Sequence, residues 1–217
     1  FINNLAAPAN TKVFSLTHRL HLTQPQAYIF DPELPYWIIY RNQLFDSVCR
    51  KLDFDVFEVF RDRQLTNKLL SSSGELRVLK SRNLSDDGKE ILDIPGYDSY
   101  ISYAAAKPLS VFQYLDAPNV YLTPNMTYKP RMMKKPPHCV VNGSLAILIP
   151  KGGIVPTEKQ LAYFSSEEYR AFYQIARNFQ TRSLNVDACS VFFYGLLRDE
   201  AKPTPEKFDT SVQLSFL

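Results

Sequence analysis

Four stretches of the chain concentrate arginine, lysine and carboxamide side chains. FRDRQLTNK carries Arg61, Arg63, Gln64, Thr66, Asn67 and Lys68, and LKSRN carries Lys80, Ser81, Arg82 and Asn83. PNMTYKPRMMKKPP carries Asn125, Thr127, Tyr128, Lys129 and Arg131. ARNFQTRSLN carries Arg177, Asn178, Thr181, Arg182, Ser183 and Asn185. These side chains can read nucleic acid. Arginine can take guanine O6/N7 in a bidentate pair, and asparagine or glutamine can do the same for adenine N6/N7. Lysine, serine, threonine and tyrosine serve phosphates. Each cluster alone also fits a solvated loop. Their separation along the chain means that only a fold could bring them to one face.

Other chemistry has little to stand on. The chain has no GxGxxG, no phosphate-binding loop and no GxSxG. Gly152 and Gly153 in LIPKGG read as a strand exit, and pairs such as Asp86-Asp87 and Asp53/Asp55 as solvated turns. No catalytic residue is assigned. His18 and His21 sit three apart, which suits one helix face, but no third ligand lies near, so no metal site is expected. The three scattered cysteines, Cys49, Cys139 and Cys189, argue against a disulfide framework and fit a reducing cytoplasm. No apolar run approaches the roughly 18 residues of a membrane span. The chain begins at Phe1 without a methionine, and the expectation is a fragment of something longer.

The elements that must position these residues follow from periodicity. At 45% hydrophobic residues over 217 positions, the chain can bury a real core. Its net charge of +3 permits a nucleic-acid partner without demanding one. Residues 1–35 read as loop with short extended pieces. Trp37, Ile38, Leu44, Phe45, Val48 and Leu52 recur at three-to-four spacing and predict a helix from about Pro35 to Leu52. FDVFEVFRDRQLT and ELRVLKSRNL read as strands, SDDG as a turn, and PLSVFQYL as a short helix. HCVVNGSLAILIP is a strand region with Asn142-Gly143 as a tight turn inside it. TEKQLAYFSSEEYRAFYQIARN predicts two helical pieces. Ser165 or Ser166 caps the second, and its apolar stripe is Tyr169, Phe172, Tyr173 and Ala176. VFFYGLL reads as a short strand or buried turn, and PTPEKF as a prolyl linker. The fold class is α+β, with a β-rich central sheet flanked by helices.

FRDRQLTNKLLSSSGELRVLKSRNL, PNMTYKPRMMKKPPHCVVNGSLAILIPK and QLAYFSSEEYRAFYQIARNFQTRSLNVDACSVFF together resemble a known family. It is the C-terminal target-recognition domain of N6-adenine DNA methyltransferases from type IIS and related bacterial restriction-modification systems. Type I specificity subunits share a looser form of the pattern. The resemblance covers roughly residues 54–198, and RNFQTRSLN with the helix before it is its most specific part. It implies a domain that grips double-stranded DNA beside a catalytic domain that binds S-adenosylmethionine. This chain lacks the Asn/Asp-Pro-Pro-Tyr/Phe motif of that catalytic half, and TPNM and KPPH do not replace it. The resemblance thus implies no cofactor in this chain, with S-adenosylmethionine held by a catalytic domain of the parent protein.

The division expected is a loop-plus-helix segment (1–53), a DNA target-recognition domain (54–200) and a C-terminal tail (201–217). The DNA-binding residues expected are Arg61, Arg63, Gln64, Asn67, Lys68, Lys80, Arg82, Asn83, Asn125, Tyr128, Lys129, Arg131, Arg177, Asn178, Thr181, Arg182 and Asn185. On the resemblance, the second helix packs its aromatic stripe inward and turns Arg177, Asn178, Thr181 and Arg182 outward. The partners implied are duplex DNA and the catalytic methyltransferase domain, with no membrane, in a bacterial cytoplasm. Two rivals remain. An assembly module would use exposed aromatics between Tyr97 and Tyr121. A small hydrolase or transferase would need a cleft joining His138 or His18 to carboxylates.

Overall fold

The computed structural model describes residues 2–3, 10–16, 19–180 and 185–198. Strands β1 (Ile2–Asn3), β2 (Asn10–Ser15) and β3 (Leu20–Pro25) form an antiparallel sheet in that order. β2 alternates as an extended strand must, burying Thr11 and Val13 while Lys12 and Phe14 face out. His21 therefore lies on a strand, stacked on Phe14 at 4.4 Å, and not on the helix face expected for it. His18 falls outside the described residues.

Helix α1 (Gln26–Ile29) is a single turn, and α2 (Gln43–Lys51) follows after an irregular stretch. The helix expected from Pro35 starts eight residues later, at Gln43. The side chain of Asn42 accepts from the Phe45 amide at 3.0 Å, so the helix starts there. The apolar residues ahead of it serve a different purpose, since Ile38 is fully buried in loop conformation.

The next elements are β4 (Leu52–Asp53), β5 (Phe57–Phe60), β6 (Leu76–Leu79), β7 (Ser99–Ile101) and α3 (Tyr103–Ala106). They are followed by β8 (Tyr121–Pro124), β9 (Met133–Lys134), β10 (Cys139–Val141) and β11 (Leu145–Pro150). Helices α4 (Glu158–Tyr163) and α5 (Glu167–Ala176) precede β12 (Leu196–Leu197). PLSVFQYL supplies a 3-10 turn at Ser110–Tyr114, and SVFF another at Ser190–Phe193. The fold is α+β.

Asn142-Gly143 does not close a hairpin. β10 joins a three-stranded sheet, β10-β6-β7, in which it runs parallel to β6. β11 joins the four-stranded antiparallel sheet β5-β11-β8-β9. The turn between them thus passes the chain from one sheet to the other. Gly143 is required there, because a Cβ would sit 2.6 Å from the Asp62 carbonyl oxygen.

β11 reads as a continuous apolar run because both of its faces are covered. Ala146 and Leu148 face one core, with α2, α5 and the aromatic residues of 190–194. Leu145 and Ile147 face a second core, with β6, β7, β10 and the Ser110–Tyr114 turn. In the first core Phe45 stacks on Phe172 at 5.1 Å, and Tyr194 meets Tyr173 edge-on at 5.4 Å. All four stripe residues of α5, Tyr169, Phe172, Tyr173 and Ala176, are buried. Ser166 caps this helix, accepting from the Tyr169 amide at 3.1 Å. The division expected at 53/54 falls inside that core, since Phe45, Val48 and Leu52 pack with Phe57 and Phe172 and β4 pairs with β12. Residues 201–217, the expected tail, lie outside the described residues.

Candidate functional site

Asn125 is the point at which the polar segments meet. It is 5% exposed, directly after β8. Its amide nitrogen donates to the Gly143 carbonyl at 3.0 Å and to Asn185 Oδ1 at 2.7 Å. Its Oδ1 accepts from the Val186 amide at 3.0 Å and from Arg61 Nη1 at 3.4 Å. One carboxamide therefore ties the first, third and fourth clusters together.

Arg131 ties in the second. Its guanidinium, 8% exposed, donates to the carbonyls of Ser81 (3.1 Å), Leu84 (3.2 Å) and Lys129 (3.1 Å). No carboxylate pairs with it among the described residues, and burial pulls its pKa below the usual arginine value. Ser81 also donates its amide to Ser144 Oγ at 2.9 Å, next to Gly143. Four segments far apart in sequence thus share one hydrogen-bonded frame.

The residues that build the frame are not free to face a ligand. Asn83, fully buried, donates to the Leu92 carbonyl (3.0 Å) and Asp98 Oδ1 (2.7 Å) and accepts from the Lys80 amide (3.0 Å). Arg177, 4% exposed, donates to the Asn185 carbonyl at 3.0 Å. Asn83, Asn125 and Arg131, expected to bind DNA, and Arg177, expected to turn outward, are all buried: a carboxamide or guanidinium suited to bases is equally suited to buried carbonyls and amides.

Asn178 explains how α5 ends. It takes a left-handed φ of 47°, and its amide donates to Ile175 while that of Phe179 donates to Gln174. That pair of bonds is a Schellman closure with asparagine in the left-handed position. The Asn178 side chain turns back onto the chain, accepting from the Ile39 amide (2.8 Å) and donating to the Trp37 carbonyl (2.9 Å). It too is inward, where the sequence pattern suggested outward. Thr181 and Arg182 lie outside the described residues, and Asn185 is half-buried against Asn125 and Arg177.

Beyond Arg61 and Asp62, the first cluster keeps its polar groups outside. Asp62, 6% exposed, accepts from the amides of Gln64 (3.3 Å) and Leu65 (2.8 Å) and fixes the loop base. Arg63, Gln64, Asn67 and Lys68 are exposed on that loop. Gln64 accepts from the Ser110 amide and hydroxyl, whereas Arg63 and Lys68 enter no ion pair among the described residues. Arg82 and Tyr128 are also exposed, and Lys129 pairs with Asp86 at 3.2 Å. Lys80 is half-buried, its ammonium bonded to the Tyr97 carbonyl and to Ser99 Oγ (2.9 Å).

A cavity of about 260 Å³ lies beside the end of α5, lined by Tyr36, Arg177, Asn178, Gln180, Asp187 and Cys189. It is smaller than most small-molecule sites, which run to roughly 300–1,000 Å³. The Arg177 Nε has no hydrogen-bond partner among the described residues. Burial pushes the Tyr36 hydroxyl pKa well up, and the Asp187 carboxylate is held low against its own burial by bonds from Ser190 and the Arg177 charge. No histidine lines the cavity to activate Cys189. His138 is exposed and meets Asp116 at 3.2 Å, outside this cavity. No group of three histidine, cysteine or acidic residues that could hold a metal occurs among the described residues, and no helix there is long and apolar enough to cross a membrane.

Sequence reasoning missed the residues that organise the site: Asp62, Tyr97, Asp98 and Ser144. A lone acid or serine in a polar loop carries no signal of the backbone amides it will meet. No protein-family model matches the chain, and no curated protein shows significant similarity to it.

Proposed function

We propose that this chain is a duplex-DNA-reading module, the target-recognition part of an adenine-specific DNA methyltransferase in a restriction-modification system. The observation that carries the reading is the Asn125 node. With Arg131 it joins all four polar clusters, which lie within the three stretches that resemble target-recognition domains. On this reading the buried carboxamides and guanidinia set the frame. The outer side chains, Arg63, Asn67, Lys68, Arg82 and Lys129, then contact DNA, the cations mainly at phosphates. Methyl transfer and S-adenosylmethionine belong to a separate catalytic domain that opens the duplex at the target adenine.

The alternative, an assembly module built on aromatics between Tyr97 and Tyr121, has weaker footing. Tyr103 is 45% exposed, but Tyr121 is 1% exposed and the remaining rings of that stretch are at least half-covered.

The test is fluorescence anisotropy of the chain with random-sequence duplex at two salt concentrations, with circular dichroism to verify folding. Binding at low salt that weakens steeply at high salt is expected, because neutralised phosphates release counterions. Lys68→Ala and Arg63→Ala should each weaken it. A folded chain that binds no duplex at low salt refutes the proposal.

A further inference from the structure

We infer that Lys80, Arg82 and Tyr97 form a seat for one phosphate of the nucleic-acid backbone, an assignment that rests on the DNA-reading function proposed above. The Lys80 ammonium lies 3.9 Å from the centroid of the Tyr97 ring, and the Arg82 guanidinium carbon lies 4.6 Å from it. The negative face of an aromatic ring attracts a cation. Two cations around one ring also repel each other, and an anion that touches both turns that repulsion into attraction.

Among the described residues no carboxylate pairs with either cation. Asp98 is the neighbouring carboxylate, and it accepts from Arg77 (3.0 Å), Asn83 (2.7 Å) and the Ile94 amide (3.1 Å). Arg82 is exposed and enters no ion pair among the described residues. Burial, with Arg82 adding to it, lowers the Lys80 pKa despite Asp98.

The seat is also held in place before anything binds. Lys80 is tied to the Tyr97 carbonyl and to Ser99, and its own amide donates to Asn83. The 3-10 turn Ser81–Asn83 that carries Arg82 is fixed by Ser144 and by Arg131. Little ordering of Lys80 or of the turn backbone remains to be lost on binding. A phosphodiester suits the geometry, because its two non-bridging oxygens share one charge and can meet an ammonium and a guanidinium together.

The experiment is the salt dependence of duplex binding for the wild-type chain, Arg82→Gln, Tyr97→Phe and Tyr97→Leu, each on three unrelated duplexes. Losing one phosphate contact should reduce the slope of log K against log salt by about 0.9, equally on all duplexes. Arg82→Gln should show this. Tyr97→Phe keeps the ring and should behave as wild type, while Tyr97→Leu should lose slope as Arg82→Gln does. A merely structural role for the ring would lower affinity and leave the slope unchanged. DNA binding with an unaltered slope in Arg82→Gln overturns the seat and leaves the DNA-reading function standing. Slope loss in Tyr97→Phe equal to that in Tyr97→Leu overturns the part given to the ring. Absence of binding by the folded wild type overturns both.

Discussion

Replacing Asn125 by alanine should cost about 2 kcal/mol of folding stability, a figure that follows from its four bonds taken separately. The Gly143 carbonyl loses its 3.0 Å donor, and an orphaned buried carbonyl costs about 1–3 kcal/mol. The Val186 amide loses Oδ1 but keeps the backbone carbonyl of residue 125 at 3.1 Å, so its loss is partial. Asn185 is half-buried and recovers a bond to water, and the 3.4 Å contact to Arg61 is long enough to contribute little. For a chain of this length, 2 kcal/mol corresponds to about 4–8 °C in Tm. Urea denaturation followed by circular dichroism measures it. Asn125→Asp separates donor from acceptor: it keeps the oxygen for Val186 but sets a carboxylate against two oxygen atoms. At neutral pH it should destabilise at least as much as alanine, and the deficit should shrink as acid protonates the new carboxyl group. A change below about 0.5 kcal/mol in Asn125→Ala, the range of inconsequential surface substitutions, would refute the view that this side chain holds the segments together.

Asn178→Gly should be milder than Asn178→Ala, because glycine keeps the left-handed backbone while both lose the bonds to Trp37 and Ile39; alanine should cost about 1 kcal/mol more in urea. Equal losses would show that the backbone conformation is not the issue. Asp98 is held below the usual aspartate range, its burial outweighed by the Ile94 amide, Asn83 and Arg77. A depressed folded pKa gives stability that is complete above the unfolded value of about 3.9 and disappears as pH falls through the folded one. Stability measured down that window should decline in wild type and decline less steeply in Asp98→Asn, since Asp187 and Glu168 are also held low. Burial pushes the Cys49 thiol up to about 12, whereas Cys189 is exposed, so a thiol reagent at pH 8 should modify Cys189 in the native chain and spare Cys49. Mass spectrometry of the adducts reads the result, and prompt labelling of Cys49 would contradict its burial.

Local and periodic features were legible from the sequence. Tyr169, Phe172, Tyr173 and Ala176 recur on one face of a helix, and Ser166 with two acids behind it marks where that helix starts. Alternation and β-branching marked Leu76–Leu79 and Leu145–Pro150 as strands, since side-chain direction repeats every two residues whatever the neighbours are. Tertiary structure alone decided the rest. Leu145 and Ala146 are both apolar, and only the packing of two layers on one sheet assigns them to different cores. Asn142-Gly143 has the composition of a hairpin turn, but the partners of β10 and β11 are distant in sequence and send the two strands to different sheets. Asn83, Asn125 and Arg177 have the same hydrogen-bonding atoms as the exposed Asn67 and Arg63. Composition therefore located the polar segments, while burial, which depends on contacts made across the whole chain, separated the side chains that build the surface from those that remain on it.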